Sequence, residues 1–375
     1  MQANPLWPVG TRFPALDKDL RVDVAIVGAG IAGISCGFHL QNAGHSVAVI
    51  EREEVGSAAT GASSGILYYG SGGNFVEAVE RYGKDDATTL WKETGRTITD
   101  LVSLIEKHRI PCGFRPTGAI MVAKNKQEEA RIEREHAALR DIGIRTEQYS
   151  SDDIQESFTG TKFASGLSFE ICCVIHPAQF ASELARKFNL PVYEKSPMLK
   201  FTEEPAGVTL VSSRARIRCD RLVLATDLEP FYGLEKHFGQ ETTVVLASRE
   251  MAVTDKIWPQ DKVLWTMEEK YDILYPLGER LALELYQARN IKQKLAQYYG
   301  GVSFEVQYRW GDSWSKTADL LPIAGPLTDR VYAAVAMGDE GIVMGFTVGS
   351  RMPLAFDGRE DPILRMISPT RFPRA

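Results

Sequence analysis

Six residues near the start of the chain, Gly28-Ala29-Gly30-Ile31-Ala32-Gly33, have the types and spacing to hold a pyrophosphate. In a G-x-G-x-x-G run, Gly28 makes the tight turn and Gly30 lets phosphate approach bare backbone. Gly33 lets a helix and a strand pack closely. The apolar run at 22–27 reads as a buried parallel strand, and a helix follows to about residue 43. The start of that helix, at Ile31 and Ala32, offers unpaired N–H groups and partial positive charge to an anion. A second apolar strand at 46–50 ends on Glu51, whose carboxylate can accept from a ribose 2′-hydroxyl and disfavours a 2′-phosphate. A glycine motif by itself is weak. One set between a strand and a helix, with an acid at the end of the next strand, points to a dinucleotide.

Two further stretches have chemistry to offer. Residues 57–65 are small, and Ala59, Thr60, Ala62, Ser63 and Gly65 would let N–H groups and hydroxyls approach a phosphate or a ring. The apolar residues 66–69 directly after them argue that this loop is packed. Far down the chain comes a strand at 331–335, then Gly338-Asp339-Glu340-Gly341, then a helix over 342–356. A standalone nicotinamide domain does not need this second strand–turn–helix. A chain that returns late to its first domain does. Residues 222–227 resemble the strand that closes a nucleotide domain beneath its cofactor, with Ala225 and Thr226 at its end.

Length, charge and cysteine usage bound the rest. A chain of 375 residues makes one large or two ordinary domains. A net charge of −6 argues against nucleic acid or an anionic membrane as a main partner. No apolar run reaches the ~18 residues of a membrane span. The first 20 residues lack a basic and then apolar signal pattern, and read as an extended leader with Pro5, Pro8 and Pro14, anchored by Trp7 and Phe13. Five cysteines, an odd number without repeated spacing, suggest a reduced cytoplasm. No C-x-x-C or H-x-x-x-H pairing offers a metal site. Cys172-Cys173 reads as a half-buried strand.

The elements that must position these groups follow from periodicity and breakers. Residues 75–108 read as one long or two shorter helices, 126–141 as a charged helix with a solvated face, and 152 onward as a short helix. His176-Pro177 opens a helix to about 188, with His176 fixing the turn rather than acting as a base. Strands are expected at 119–123, 144–148, 192–194, 198–202, 207–212, 214–219 and 221–225. More follow at 243–253, 263–267, 273–276, 281–286 and 304–310, with a helix at 290–299.

The segments DVAIVGAGIAG, VAVIE, ATGASSGI, IHPAQF, RCDRLVLAT, TADLLPIAGP and VYAAVAMGDEGIVMG span residues 22 to about 358. Together they resemble the FAD-dependent oxidoreductases of the D-amino acid oxidase, glycine oxidase and sarcosine oxidase superfamily. The leader, HRIPCGFRPTGAI and YRW-G look closest to γ-glutamylputrescine-oxidase-like members. The resemblance implies an α/β (α+β) two-domain fold. A Rossmann-like FAD-binding domain of the glutathione-reductase type would take residues 1–74, 143–228 and 319–375. A substrate domain with a large antiparallel sheet and helices would take 75–142 and 229–318. It also implies that FAD lies extended, with Gly28, Gly30 and Gly33 at the pyrophosphate and Glu51 and Arg52 at the adenosine. Residues 59–63 would approach pyrophosphate and ring, and Met198 would reach adenine through its backbone. The N–H groups of Asp339, Glu340, Gly341 and Ile342 would face the flavin C2 carbonyl, where a helix dipole stabilises the reduced ring. Some relatives bind flavin through a late cysteine. No Cys follows Cys219 and no His follows His237, so FAD is expected to be non-covalent.

A flavin takes a hydride equivalent from a C–H bond next to nitrogen or oxygen, and the protein positions and tunes it. An amine or modified amino acid is the expected substrate, with oxygen or an electron carrier as acceptor. Alternatives are a hydroxy-acid dehydrogenase feeding a quinone or carrier, and a non-catalytic flavoprotein or subunit of a larger oxidase. Oligomerisation is left open. Where glycine and D-amino acid oxidases hold the substrate carboxylate with an arginine, this chain has Trp314. Where relatives often have an arginine after ATGAS it has Ser64, and a usual glycine pair is replaced near Leu283 and Glu284. Glu284 could meet an ammonium group, although a solvated strand position is the plainer reading. Tyr271, Tyr275, Tyr286, Trp310 and Trp314 form the expected substrate wall, with Tyr68 and Tyr69 in reach of the ring. Lys262, Lys270 and Lys316 are candidates for a positive charge beside flavin N5. The catalytic candidates are thus Tyr275, Trp310, Lys316 and Glu284.

Overall fold

The strand Leu20–Val27 is the centre of the first sheet because its second half is buried on both faces. It pairs in parallel with Val47–Ile50 on one side and Arg216–Leu224 on the other. The computed structural model describes residues 6–7, 13–227, 237–251, 254–268, 270–286, 290–300 and 302–372. The sheet runs in the order Met198–Glu204, Gly207–Ser212, Arg216–Leu224, Leu20–Val27, Val47–Ile50, Val192–Tyr193. Val331–Val335 joins it against Arg216–Leu224, and Ile323–Pro326 pairs with Val331–Val335. The two strands expected at 214–219 and 221–225 are one. Its first half pairs antiparallel with Gly207–Ser212 and its second half in parallel with Val331–Val335, so one strand serves two partners on the same edge. The late return of the chain to its first sheet is thereby in place.

The helix Ile31–Asn42 packs against this sheet and against the helix Gly341–Phe356, which also touches the sheet at Ile323–Pro326 and Val331–Val335. The two helices approach at backbone distance because the later one presents glycines. A Cβ added at Gly345 would lie 3.2 Å from the Ala32 nitrogen, and one at Gly349 would lie 2.1 Å from the Ser35 hydroxyl.

The second sheet has the order Val306–Thr317, Phe238–Ser248, Arg280–Leu285, Ile273–Leu277, Val263–Thr266, Ala119–Ala123, Ser165–Phe169, Thr146–Ser150. All neighbours are antiparallel except Val263–Thr266 with Ala119–Ala123. This corrects one expected boundary. Residues 143–228 are expected in the first domain, yet Thr146–Ser150 and Ser165–Phe169 hydrogen-bond into the second sheet. Val306–Thr317 runs past Trp310 because it pairs along the whole of Phe238–Ser248, whose expected end at residue 253 lies outside the described residues. A third, small sheet joins Ile66–Leu67, Cys173–Val174 and Arg115–Pro116. Cys172 and Cys173 are both buried, not half-buried.

The helical stretch at 75–108 is two helices, Phe75–Tyr82 and Lys84–His108, broken at Gly83 with φ of +81°. The helix Lys126–Asp141 is not merely a solvated face. Glu135 is fully buried, and its carboxylate accepts from the N–H groups of Phe75 at 2.7 Å and Val76 at 2.9 Å. It caps a neighbouring helix. Burial pushes its carboxyl up to about 7 against those two hydrogen bonds. Half of the expected leader, with Pro5 and Pro8, lies outside the described residues. The anchors do not: Trp7 packs on the His176 ring at 4.9 Å and the Phe13 N–H donates to Glu194 at 3.0 Å. Among the described residues no helix is long and apolar enough to cross a membrane.

Candidate active site

The three glycines of the first turn divide their work as their spacing requires. Gly28 has φ of +102°, and a Cβ there would meet the Ala225 carbonyl oxygen at 2.3 Å. A Cβ at Gly33 would lie 1.8 Å from the Gly28 carbonyl oxygen. These two lock turn, helix and strand together. A Cβ at Gly30 meets only the Thr60 hydroxyl at 3.2 Å, so this glycine faces open space. Gly30, Ile31 and Ala32 form one wall of a groove, with Ala59, Thr60 and Ser63 beside them and Ala225 below. Gly338, Asp339, Gly341 and Ile342, at the start of the later helix, line the same groove. Neither helix start is capped by its own N-cap side chain. Apart from the Ile31 N–H, which is not unpaired as expected but donates to Thr60, both helix starts therefore bring N–H groups to one space, an arrangement that suits an anion and a polar ring edge. This cradle fits an extended dinucleotide.

Other expected contacts support the groove from behind. Thr60 in the short helix Ala59–Ala62 accepts from the Ile31 N–H at 3.0 Å, tying the small-residue loop to the first helix. Glu51 braces the glycine turn, accepting from the Ala29 N–H at 2.9 Å and the Glu53 N–H at 2.8 Å. Gly65 has φ of +79°, and a Cβ there would strike the Ile175 carbonyl. Met198 packs on the outer apolar cluster of the first sheet and does not line the groove. Nor do Arg52 and Thr226, which flank Glu51 and Ala225.

The groove opens into an inner cavity, for Ser63, Asp339 and Ile342 line both. Tyr68, Trp265 and Tyr271 form aromatic walls, with Met121, Met267 and Ile273 between them. Tyr68 stacks on Tyr69 at 4.7 Å and stands edge-on to Trp265 at 4.5 Å. The hydroxyls of Tyr271 and Tyr286 both donate to one oxygen of Asp339, that of Tyr286 at 2.5 Å. Tyr286 meets Trp314 edge-on at 5.9 Å. Burial raises the Asp339 and Glu340 carboxyls above the ordinary range, and the Asp339 charge adds to the effect on Glu340. Glu284 is not in solvent, contrary to the plainer expectation. It is 5% exposed, accepts from the Thr243 hydroxyl at 2.9 Å, and lines the cavity. Burial, and then the nearby Asp339 charge, push its carboxyl up to about 7.

The other catalytic candidates do not line this cavity. Trp310 is buried beneath the small-residue loop, where its indole N–H donates to the Ala62 carbonyl at 2.9 Å. Tyr275 is fully buried farther along its strand, and its hydroxyl has no partner. Lys316 pairs with Glu241 and borders an adjoining space together with Lys270. Lys262 lies over the Tyr149 ring. His176 fixes its turn as expected: its Nδ1 accepts from the Gln179 N–H at 3.2 Å, and burial pulls the ring down to about 4. Trp265, Met121 and Met267 were missed because strand pairing between distant segments brings them here. Asp227 was missed too. It lines the groove with φ of +47°, and burial pushes its carboxyl up to about 6.

The fold and groove define a flavin-dependent oxidoreductase, and comparison with known proteins agrees. Residues 23–352 match the DAO family, described as FAD dependent oxidoreductase, and the chain belongs to that family. Its cofactor is FAD. The chain is 23% identical over 371 residues to the γ-glutamylputrescine oxidoreductase of Escherichia coli K12, covering 90% of this chain and 84% of that one. It is 25% identical over 366 residues to the glycine oxidase of Bacillus licheniformis, covering 88% and 92%. The crystal structure of glycine oxidase from Geobacillus kaustophilus has the same fold, with a TM-score of 0.77 at 18% identity over 94% of this chain and 100% of that one.

Proposed function

We propose that this chain oxidises a C–N bond of an amine or modified amino acid. When bound, FAD supplies the acceptor for the hydride equivalent. Gly30, Ile31 and Ala32 would hold its pyrophosphate, Ala59, Thr60 and Ser63 would flank it, and Gly341 and Ile342 would meet the polar edge of its ring. Glu51, Arg52 and Met198 would serve the adenosine end. Among the described residues the groove lining has no Cys or His, which supports a non-covalent cofactor.

The observation that carries this reading is the shared lining of groove and cavity at Ser63, Asp339 and Ile342. A cofactor in the groove would present its far end to a chamber walled by Tyr68, Trp265 and Tyr271. Aromatic faces attract a cationic amine and exclude water from it. No protein base is required once the reacting nitrogen is neutral. Oxygen or an electron carrier would reoxidise the cofactor. The five cysteines are all unpaired, in keeping with a reducing cytoplasm.

The test is anaerobic addition of a panel of amines, amino acids and hydroxy acids to the yellow protein. Bleaching by an amine or modified amino acid is expected. Bleaching by hydroxy acids alone would replace this reading with C–O oxidation.

A further inference from the structure

The inner cavity is acidic in a lopsided way. Its lining holds Glu77, Glu268, Glu284, Asp339 and Glu340, and among the described residues no lysine, arginine or histidine. Two of these are neutralised from behind, Glu77 by Arg131 at 2.8 Å and Glu268 by Lys124 at 2.9 Å. Glu284, Asp339 and Glu340 stand in no ion pair among the described residues. Asp339 at least accepts two tyrosine hydroxyls.

Glu284 is the residue that asks for a ligand. One of its oxygens accepts from Thr243, while the other is out of solvent with no partner at full hydrogen-bond geometry, only the Ser64 hydroxyl lying near the carboxylate. An orphaned buried acceptor is costly, and more so when charged. Its neighbour on the same face of the strand, Ala282, sits in the apolar core, so an aliphatic side chain suits this face. An ammonium group would supply the missing donor and the missing charge together.

We infer that the inner cavity is built for the ammonium group of an amine whose reacting carbon carries no carboxylate, and that Glu284 anchors it. The inference rests on the reading that this chain oxidises an amine. An α-amino acid would bring its carboxylate into the same acidic chamber, where no cation meets it. Arg81, Lys270 and Lys316 border the adjoining space instead. An anionic group farther along a substrate could lie there. With its carboxyl near 7, Glu284 holds a proton at pH 6 beside Thr243, Ser64 and Asp339, and an arriving ammonium would expel that proton.

The test is calorimetric titration of the FAD-loaded protein with straight-chain amines and diamines against their α-carboxylated counterparts, such as pentylamine against norleucine. At least one amine is expected to bind about tenfold or more tighter than its counterpart, and to release a proton at pH 6. Glu284→Gln should erase both the preference and the proton release while keeping the flavin band. Thr243→Val, which leaves the carboxylate but frees it, should weaken the preference less. Equal or tighter binding of the amino acids, an unchanged preference in Glu284→Gln, or no amine binding would overturn the anchor. Bleaching reports separately on the underlying reading: amino acids that bind equally and bleach the flavin would leave that reading standing and remove Glu284 from it.

Discussion

Gly349 touches Ser35 so closely that an added Cβ would lie 2.1 Å from the serine hydroxyl. This contact sets the spacing of the two helices whose starts face the dinucleotide groove. Gly349→Val should therefore force them apart. Overpacking of this kind costs roughly 1–3 kcal/mol, and the displaced helix start should also weaken FAD retention. Thermal melting and the flavin absorbance per protein check both. A variant that melts and binds flavin like the parent would show that the helices tolerate wider spacing.

Glu135→Ala removes the carboxylate that accepts from Phe75 and Val76. The buried Phe75 N–H and the partly buried Val76 N–H would lose their partner, at a cost of about 2 kcal/mol. Urea unfolding should show this loss. An unchanged midpoint would mean that water replaces the cap.

Glu135 and Glu284 share a pH signature. Each carboxyl is pushed from the ordinary 4.5 up to about 7 in the folded chain. Each therefore favours the folded state fully below the unfolded value, and that contribution is lost as pH rises through about 7. The flavin-free protein should melt lower at pH 8 than at pH 6, by an amount worth about 1 kcal/mol per group, since most of the loss has already occurred between the unfolded value and pH 6. Glu284→Gln, which cannot ionise, should flatten this profile and raise the melting temperature at pH 8. A profile that instead rises between pH 6 and pH 8 would contradict the burial assigned to these acids.

Trp310→Phe keeps the packing beneath the small-residue loop but removes the donor to the Ala62 carbonyl. The expected loss is about 1 kcal/mol of stability with a measurable fall in FAD affinity, and little effect on substrate discrimination. A changed amine preference would return Trp310 to the substrate wall.

Much of the FAD groove could be read from residue order, because it is made of local signals. A turn that must be glycine, a helix start and a strand end announce themselves within a few residues, at Gly28, at Gly33 and again at Gly338. The merged strand Arg216–Leu224 escaped because its two halves have different partners, which no local pattern records. The cavity was harder still. Trp265 and Met121 meet through a parallel pair between segments far apart in the chain. Glu284 looked like a solvated strand position because alternation cannot tell a cavity from solvent. Tyr275 and Trp310 have the right chemistry for a wall, but packing depth along their strands removes them from it.

The central claim is that Gly30 faces the cofactor while Gly28 and Gly33 hold the turn. Gly33→Ala should disrupt folding outright, since its Cβ would lie 1.8 Å from the Gly28 carbonyl oxygen. Gly30→Glu should fold, because only the Thr60 hydroxyl is near. Its absorption spectrum is the most direct measurement. Purified wild-type protein should be yellow and folded Gly30→Glu colourless, the new carboxylate standing where the pyrophosphate would lie. A folded Gly30→Glu protein that keeps the full flavin band would contradict the site.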